Sequence, residues 1–174
     1  MKLSPAQTKW LKCFHLLAVA GWIGGALSLT LLHFLRFQGV DEIGNDLRGI
    51  DRAGGLIDIG VVVILGALGC LLTGLLYSLF TKWGFFRHRW LLVKWIITVV
   101  CISSGIILLG PWETGMSEIS RKLGAAALLD EKYLSYMYLN FWFGMVQIFL
   151  LVFAAFISVF KPWKTKKLQE GAGQ

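Results

Sequence analysis

Charge is scarce in this 174-residue chain: 16% of its residues are Asp, Glu, Lys or Arg, against 56% hydrophobic ones and a mean hydropathy of +0.67. So little charge cannot clothe one small core for water, which excludes an ordinary soluble domain. Cysteine is nearly as rare. Cys13, Cys70 and Cys101 lie within or at the edge of apolar stretches with no CxxC pair, so neither a disulfide scaffold nor a zinc site is indicated and they read as small packing residues. Only Pro5, Pro111 and Pro162 are present, none of them inside an apolar run, and no inverted repeat is visible. A transporter built on broken helices is thereby disfavoured.

What the chain has is four apolar runs, giving spans of about 10–35, 56–80, 89–110 and 135–160, each near the ~20 residues that cross a bilayer. These predict an all-α integral membrane protein with a single transmembrane domain, a four-helix bundle in up-down-up-down order. The first run is long, holds two histidines and ends in His33-Phe34-Leu35-Arg36 without a small-residue cleavage pattern, so it reads as a resident helix and not as a signal peptide.

The N-terminus (Lys2, Lys9, Lys12), the 82–89 loop (Lys82, Arg87, Arg89) and the tail (Lys161, Lys164, Lys166, Lys167) hold ten basic residues. The two other loops hold six: Arg36, Arg48, Arg52, Arg121, Lys122 and Lys132. Basic residues are retained inside, which predicts cytoplasmic termini. The net charge of +7 then faces anionic lipid head groups; it flanks spans and forms no nucleic-acid-binding domain.

Packing signals accompany the spans. Gly21 and Gly25 form a GxxxG pair, and Gly66, Cys70 and Gly74 repeat the spacing, so close helix contacts or oligomerisation through small-residue faces are expected. Gly110-Pro111-Trp112 predicts a break after the third span, with residues Met116–Leu128 as a helix lying on the surface.

The ionisable residues within the spans are the functional candidates. His15 and His33 are eighteen residues apart, five helical turns, which puts both imidazoles on one face roughly 27 Å apart, one near each membrane surface. Lys94 enters its span about as deep as His15, so the two are expected to face each other; snorkelling of the lysine to the head groups is the competing reading. Trp22 and Ala26 lie between the histidines. Lys94, Thr98, Cys101 and Gly105 align on the third helix, and Tyr136, Asn140, Gln147 and Ser158 on the fourth. Such faces suit a cofactor or quinone cavity, or else plain hydrogen-bonded helix contacts. His88, between Arg87 and Arg89, is a further ligand candidate on the side of His15. Three histidines allow at most one bis-histidine haem per chain.

At the outer surface His33 and Asp58 are expected to pair as imidazole and carboxylate, a site for a quinone or a proton, with Arg52 beside them. Arg36, Asp51 and Glu113 read as a charged rim around that pair.

Lys12-x-x-His15-x6-Trp22-x-x-Gly25, in full KCFHLLAVAGWIGG, resembles the first-helix signature of the HemJ/CopD-like membrane proteins, and Trp90-Leu-Leu-Val-Lys94-Trp95 is similar to their later helix with an intramembrane lysine. LGALGCLLTGLLYSL, TKWGFFRHRWLLVKW and FKPWK extend over most of the chain a resemblance to the DUF2269-like group of small bacterial membrane proteins. The resemblance implies the bacterial cytoplasmic membrane and haem b bound at His15, the axial ligand to the iron; by their positions Lys94, His88 and Trp22 are then expected around the cofactor. Where HemJ-like proteins carry Leu-Pro-Arg, this chain has Leu27-Ser28-Leu29-Thr30, which argues against protoporphyrinogen oxidation; the outer loops offer only Met116 to collect Cu(I), which argues against copper uptake.

The expected function is therefore b-type haem binding with electron transfer or redox chemistry in the bilayer, with a quinone or another redox partner. The alternatives are a small transporter or channel for a proton-coupled or metal substrate, and a non-catalytic membrane subunit without cofactor.

Overall fold

The computed structural model describes residues 3–38, 46–80 and 89–161, and among them the chain is helical throughout, with no strand. Four long helices, α1 (Pro5–Phe37), α2 (Leu47–Phe80), α3 (Arg89–Leu129) and α4 (Glu131–Phe160), are each long and apolar enough to cross a membrane. Between 11% and 22% of the residues in their apolar windows are buried, so most of the apolar surface faces outward, as a multi-pass membrane protein requires.

Local chemistry sets the helix ends. The Ser4 hydroxyl accepts from the Gln7 backbone N–H at 3.2 Å while the Gln7 side chain accepts from the Ser4 N–H at 2.9 Å, and Pro5 occupies the first turn where no N–H is missed. Asp130 opens α4 by accepting from Tyr133 N–H at 2.9 Å.

The helices overrun the predicted spans. α1 alone, 33 residues, is roughly 50 Å long against a hydrocarbon core of ~30 Å. The excess on α2, α3 and α4 gathers at one end and builds a second core of Leu47, Met116, Ala127, Leu128, Tyr133 and Met137. The first core, within the spans, contains Ala18, Trp22, Val62, Cys70, Cys101 and Leu151.

The expected break at Gly110-Pro111-Trp112 does not occur. A wide turn at Gly105–Leu109, in which Gly110 N–H bonds back to the Gly105 carbonyl, accommodates the proline, and the helix resumes to Leu123. Gly124, with φ of 60°, then closes it, and Arg48 Nε donates to the Ser120 carbonyl at 3.1 Å. Nor do residues 116–128 form a separate surface helix: they continue α3, with Met116 and Ala127 wholly buried in the second core and Glu118, Arg121 and Lys122 exposed on the opposite side.

Small residues bring α1 against α2. A methyl at Gly66 would stand 2.6 Å from Trp22 Cβ, one at Gly25 2.7 Å from Val62 Cγ2 and one at Gly69 2.9 Å from Ala18 Cβ. Backbones this close gain dispersion contacts where lipid offers no hydrophobic drive. α2 and α3 instead meet chiefly at the end that holds the second core, Leu47–Ile57 against Gly110–Leu123.

Candidate functional site

Two polar centres sit on α1, near its two ends. At the second core, Arg36 is 1% exposed and is held by two carboxylates: Nε donates to Asp51 Oδ1 and Nη2 to Glu113 Oε1, both at 2.8 Å. Tyr133 Oη donates to the same Asp51 carboxylate at 3.1 and 3.2 Å. Gly54 lets the network close, since a Cβ there would overlap Glu113 Oε1. These residues are buried and are not the solvated rim that their polarity suggests.

His33, 2% exposed, belongs to this centre through a different partner from the one expected. Its Nε2 lies 3.0 Å from Asn140 Oδ1, and Asn140 Nδ2 donates to the Leu109 carbonyl at 3.0 Å. An amide oxygen only accepts, so the proton is on His33 Nε2; Arg36 Nη1 stands 3.4 Å from both ring nitrogens. Asp58 is not the hydrogen-bond partner of His33. The two side chains line a shared cavity of about 30 Å³, room for about one water. Arg52 is exposed and takes no part in the network, since Arg36 supplies the buried guanidinium.

Asp58 also lines a much larger cavity, about 910 Å³, between α2 and α3. Its polar end carries Glu113 and Asp58; Trp22, Ala67 and Cys101 mark the other end. Both walls contain wide helical turns, Asp58–Leu68 on α2 and Gly105–Leu109 on α3, a backbone form frequent at functional sites. Two of the residues that line it each hold a buried polar atom without a hydrogen-bond partner: Glu113 Oε2 and Trp22 Nε1.

The other centre, at the end of α1 that the basic residues mark as inner, is built differently. His15 Nδ1 lies 2.7 Å from Thr73 Oγ1, and the Thr73 hydroxyl donates to the Gly69 carbonyl one turn back. With its proton committed there, Thr73 accepts, which places the His15 proton on Nδ1 and leaves the Nε2 lone pair outward. Tyr77 packs edge-on at 6.2 Å between ring centroids. Lys94 is within electrostatic reach of His15 and of Cys70, so α3 does bring its lysine to this centre. His88 lies outside the described residues. Among those described, no three His, Cys, Asp or Glu side chains converge as a directly coordinated metal ion would need.

Of the polar stripes, Asn140 and Gln147 tie helices together, Gln147 Nε2 donating to the Cys101 carbonyl at 2.8 Å. Thr73 and Tyr133 escaped the sequence reading; the signal for Thr73 was a hydroxyl seven residues, two turns, from Gly66 on the glycine-marked α2. Comparison with protein-family models, with curated proteins and with solved structures finds no match to this chain.

Proposed function

We propose that the protein is a b-type haem-binding protein of the bacterial cytoplasmic membrane, an up-down-up-down bundle with both termini inside, which carries electrons within the bilayer. One observation carries the reading: His15 is held through Nδ1 by Thr73, so its Nε2 is the free ligating atom, and Lys94 stands nearby. A histidine oriented through its second nitrogen is the usual arrangement of an axial ligand. His33 does not suit that role, because Asn140 and Arg36 engage its ring.

His15 would hold the iron and Lys94 would be the opposing ligand or the partner of a propionate. Haem, when bound, supplies one-electron chemistry, with burial and nearby charge setting its potential. Thr73 fixes the imidazole plane and Tyr77 restricts its rotation.

Protein purified in mild detergent after expression with haem supplied is expected to show a Soret band with α and β bands on reduction, and His15→Ala to remove most of it, while His33→Ala keeps it. A folded, colourless wild type overturns the reading. The orientation is tested in a background without native cysteines: Asp41→Cys should react with an impermeant thiol reagent in intact cells and Thr165→Cys should not.

A further inference from the structure

Asp58 stands where two cavities meet. It lines both the groove of about 910 Å³ between α2 and α3 and the cavity of about 30 Å³ that also touches His33; Gln147 is the other polar residue common to the two. Among the described residues no side chain donates to the Asp58 carboxylate and no cation pairs with it. Inside a membrane span such a group is costly unless water or a proton satisfies it.

The small cavity suits one water. Its volume of about 30 Å³ exceeds the roughly 10–15 Å³ that a water needs. Thr30, Asn140 and Gln147 line it besides His33 and Asp58, and their bonds spend donors: the Thr30 hydroxyl on the Ala26 carbonyl, Asn140 Nδ2 on that of Leu109 and Gln147 Nε2 on that of Cys101. What remains is mainly acceptor, so the fitting occupant is a small donor of two hydrogen bonds.

The groove supplies the way in. Thr114, Ser117, Glu118 and Arg121 line it at helical spacing on α3, and all but Ser117 are exposed, so a polar stripe runs from the end beside the second core toward Asp58. Elsewhere the lining is apolar, with Ile59, Val63 and Ile106.

We propose that the stripe is a wet entry to Asp58, that one water in the cavity behind links Asp58 to Gln147 and His33, and that Asp58 takes up and releases a proton there. In uptake a hydronium in the groove gives its proton to the carboxylate and becomes water; release is the reverse, and no electron moves. Around Asp58 stand His33 on α1 with Arg36 beside it, Glu113 on α3 within electrostatic reach, and the neutral amides of Asn140 and Gln147 on α4. Arg36 holds Asp51 and Glu113 in ion pairs, which leaves Asp58 as the carboxylate free to exchange. The proposal does not depend on haem.

The test is nuclear magnetic resonance of the isotope-labelled full chain in lipid nanodiscs across pH. The Asp58 carboxyl carbon, identified by its loss in Asp58→Asn, should shift reversibly, and the side-chain nitrogens of Gln147 and His33 should follow with the same midpoint; in Asp58→Asn that shared midpoint should vanish. A cross-peak to bound water should appear at Gln147 or His33 in the wild type. Entry is read in a background without native cysteines, where Thr114→Cys should react with an impermeant thiol reagent about tenfold faster than Ile106→Cys, whose thiol stays un-ionised against lipid. The wild-type spectra and these two rates remain decisive if Asp58→Asn fails to fold. Gln147 and His33 indifferent to Asp58, no water cross-peak, equal rates at 106 and 114, or a midpoint that moves when sodium is replaced by a bulky organic cation, which would put a metal ion in place of the water, would each overturn the proposal.

Discussion

His15 and His33 stand on one helix, five turns apart, and their surroundings give them opposite protonation patterns. His15 meets a hydroxyl whose own proton is spent on a backbone carbonyl, so it donates from Nδ1 and keeps Nε2 free. His33 meets an amide oxygen, donates from Nε2, and has beside it, equally near both ring nitrogens, a guanidinium already clamped by two carboxylates. The comparison teaches that an intramembrane histidine is a functional candidate only as far as its second nitrogen is unclaimed. By that measure the inner end of α1 keeps a free ring nitrogen and the outer end is a structural lock.

If the outer end is a lock, its key is Arg36. Arg36→Met leaves Asp51 and Glu113 buried without their cation and is expected to cost about 3–5 kcal/mol, read from unfolding in mixed micelles by circular dichroism. Lys94→Met, at the inner end, should cost far less. A loss below that of Lys94→Met would break the comparison, because the outer cluster would then hold nothing together. Tyr133→Phe removes only the hydroxyl on Asp51 and should cost about 1.5–3 kcal/mol, the range for hydrogen bonds to a charged group.

Gly54→Ala sharpens the same point sterically. The new methyl falls on Glu113 Oε1 and 3.0 Å from Arg36 Nη2, atoms fixed by their pairing, so about 1–3 kcal/mol should be lost. Gly49, on the same stretch of α2, has nothing within 4 Å, and Gly49→Ala should be neutral or stabilise by about 0.5–1 kcal/mol. Equal effects at the two glycines would mean that the carboxylate moves aside freely and that the lock is loose.

Much of the fold was legible because its determinants are local. Apolar run length marks the four helices, and the Gly21, Gly25 and Gly66 spacing marks the α1–α2 contact. The outer end was misread where the determinants are distant. Arg36, Asp51 and Glu113 look solvated from their sequence neighbours, and only the meeting of α1, α2 and α3 buries them. Gly110-Pro111-Trp112 looks like a stop, but the wide turn before it lets α3 continue. Asp58 was the natural partner for His33 by depth along the chain; Asn140 takes that place because α4 lies against the end of α1. At the inner centre the likeness in depth of His15 and Lys94 could be read from the spans, whereas the role of Thr73 needed the side-chain geometry.

A small expected loss of stability is the most telling for the inner end. Thr73→Val keeps the shape of the side chain and removes the acceptor of the His15 Nδ1–H, so stability should fall by about 1 kcal/mol, near the detection limit in micelles. The ring should respond far more. Nitrogen-15 spectra of histidine-labelled, cofactor-free protein should show His15 with its proton on Nδ1 in the wild type, a mixture of tautomers in Thr73→Val, and the wild-type pattern again in Thr73→Ser. His33 should keep its proton on Nε2 in all three, since Asn140 is untouched. If haem binds at His15, the valine variant should also lose about 10–100-fold in haem affinity, with serine restoring it. A wild-type His15 protonated on Nε2 would invert the assignment: Nδ1 would then accept from Thr73, no lone pair would be left to ligate iron, and the two ends of α1 would no longer differ in kind.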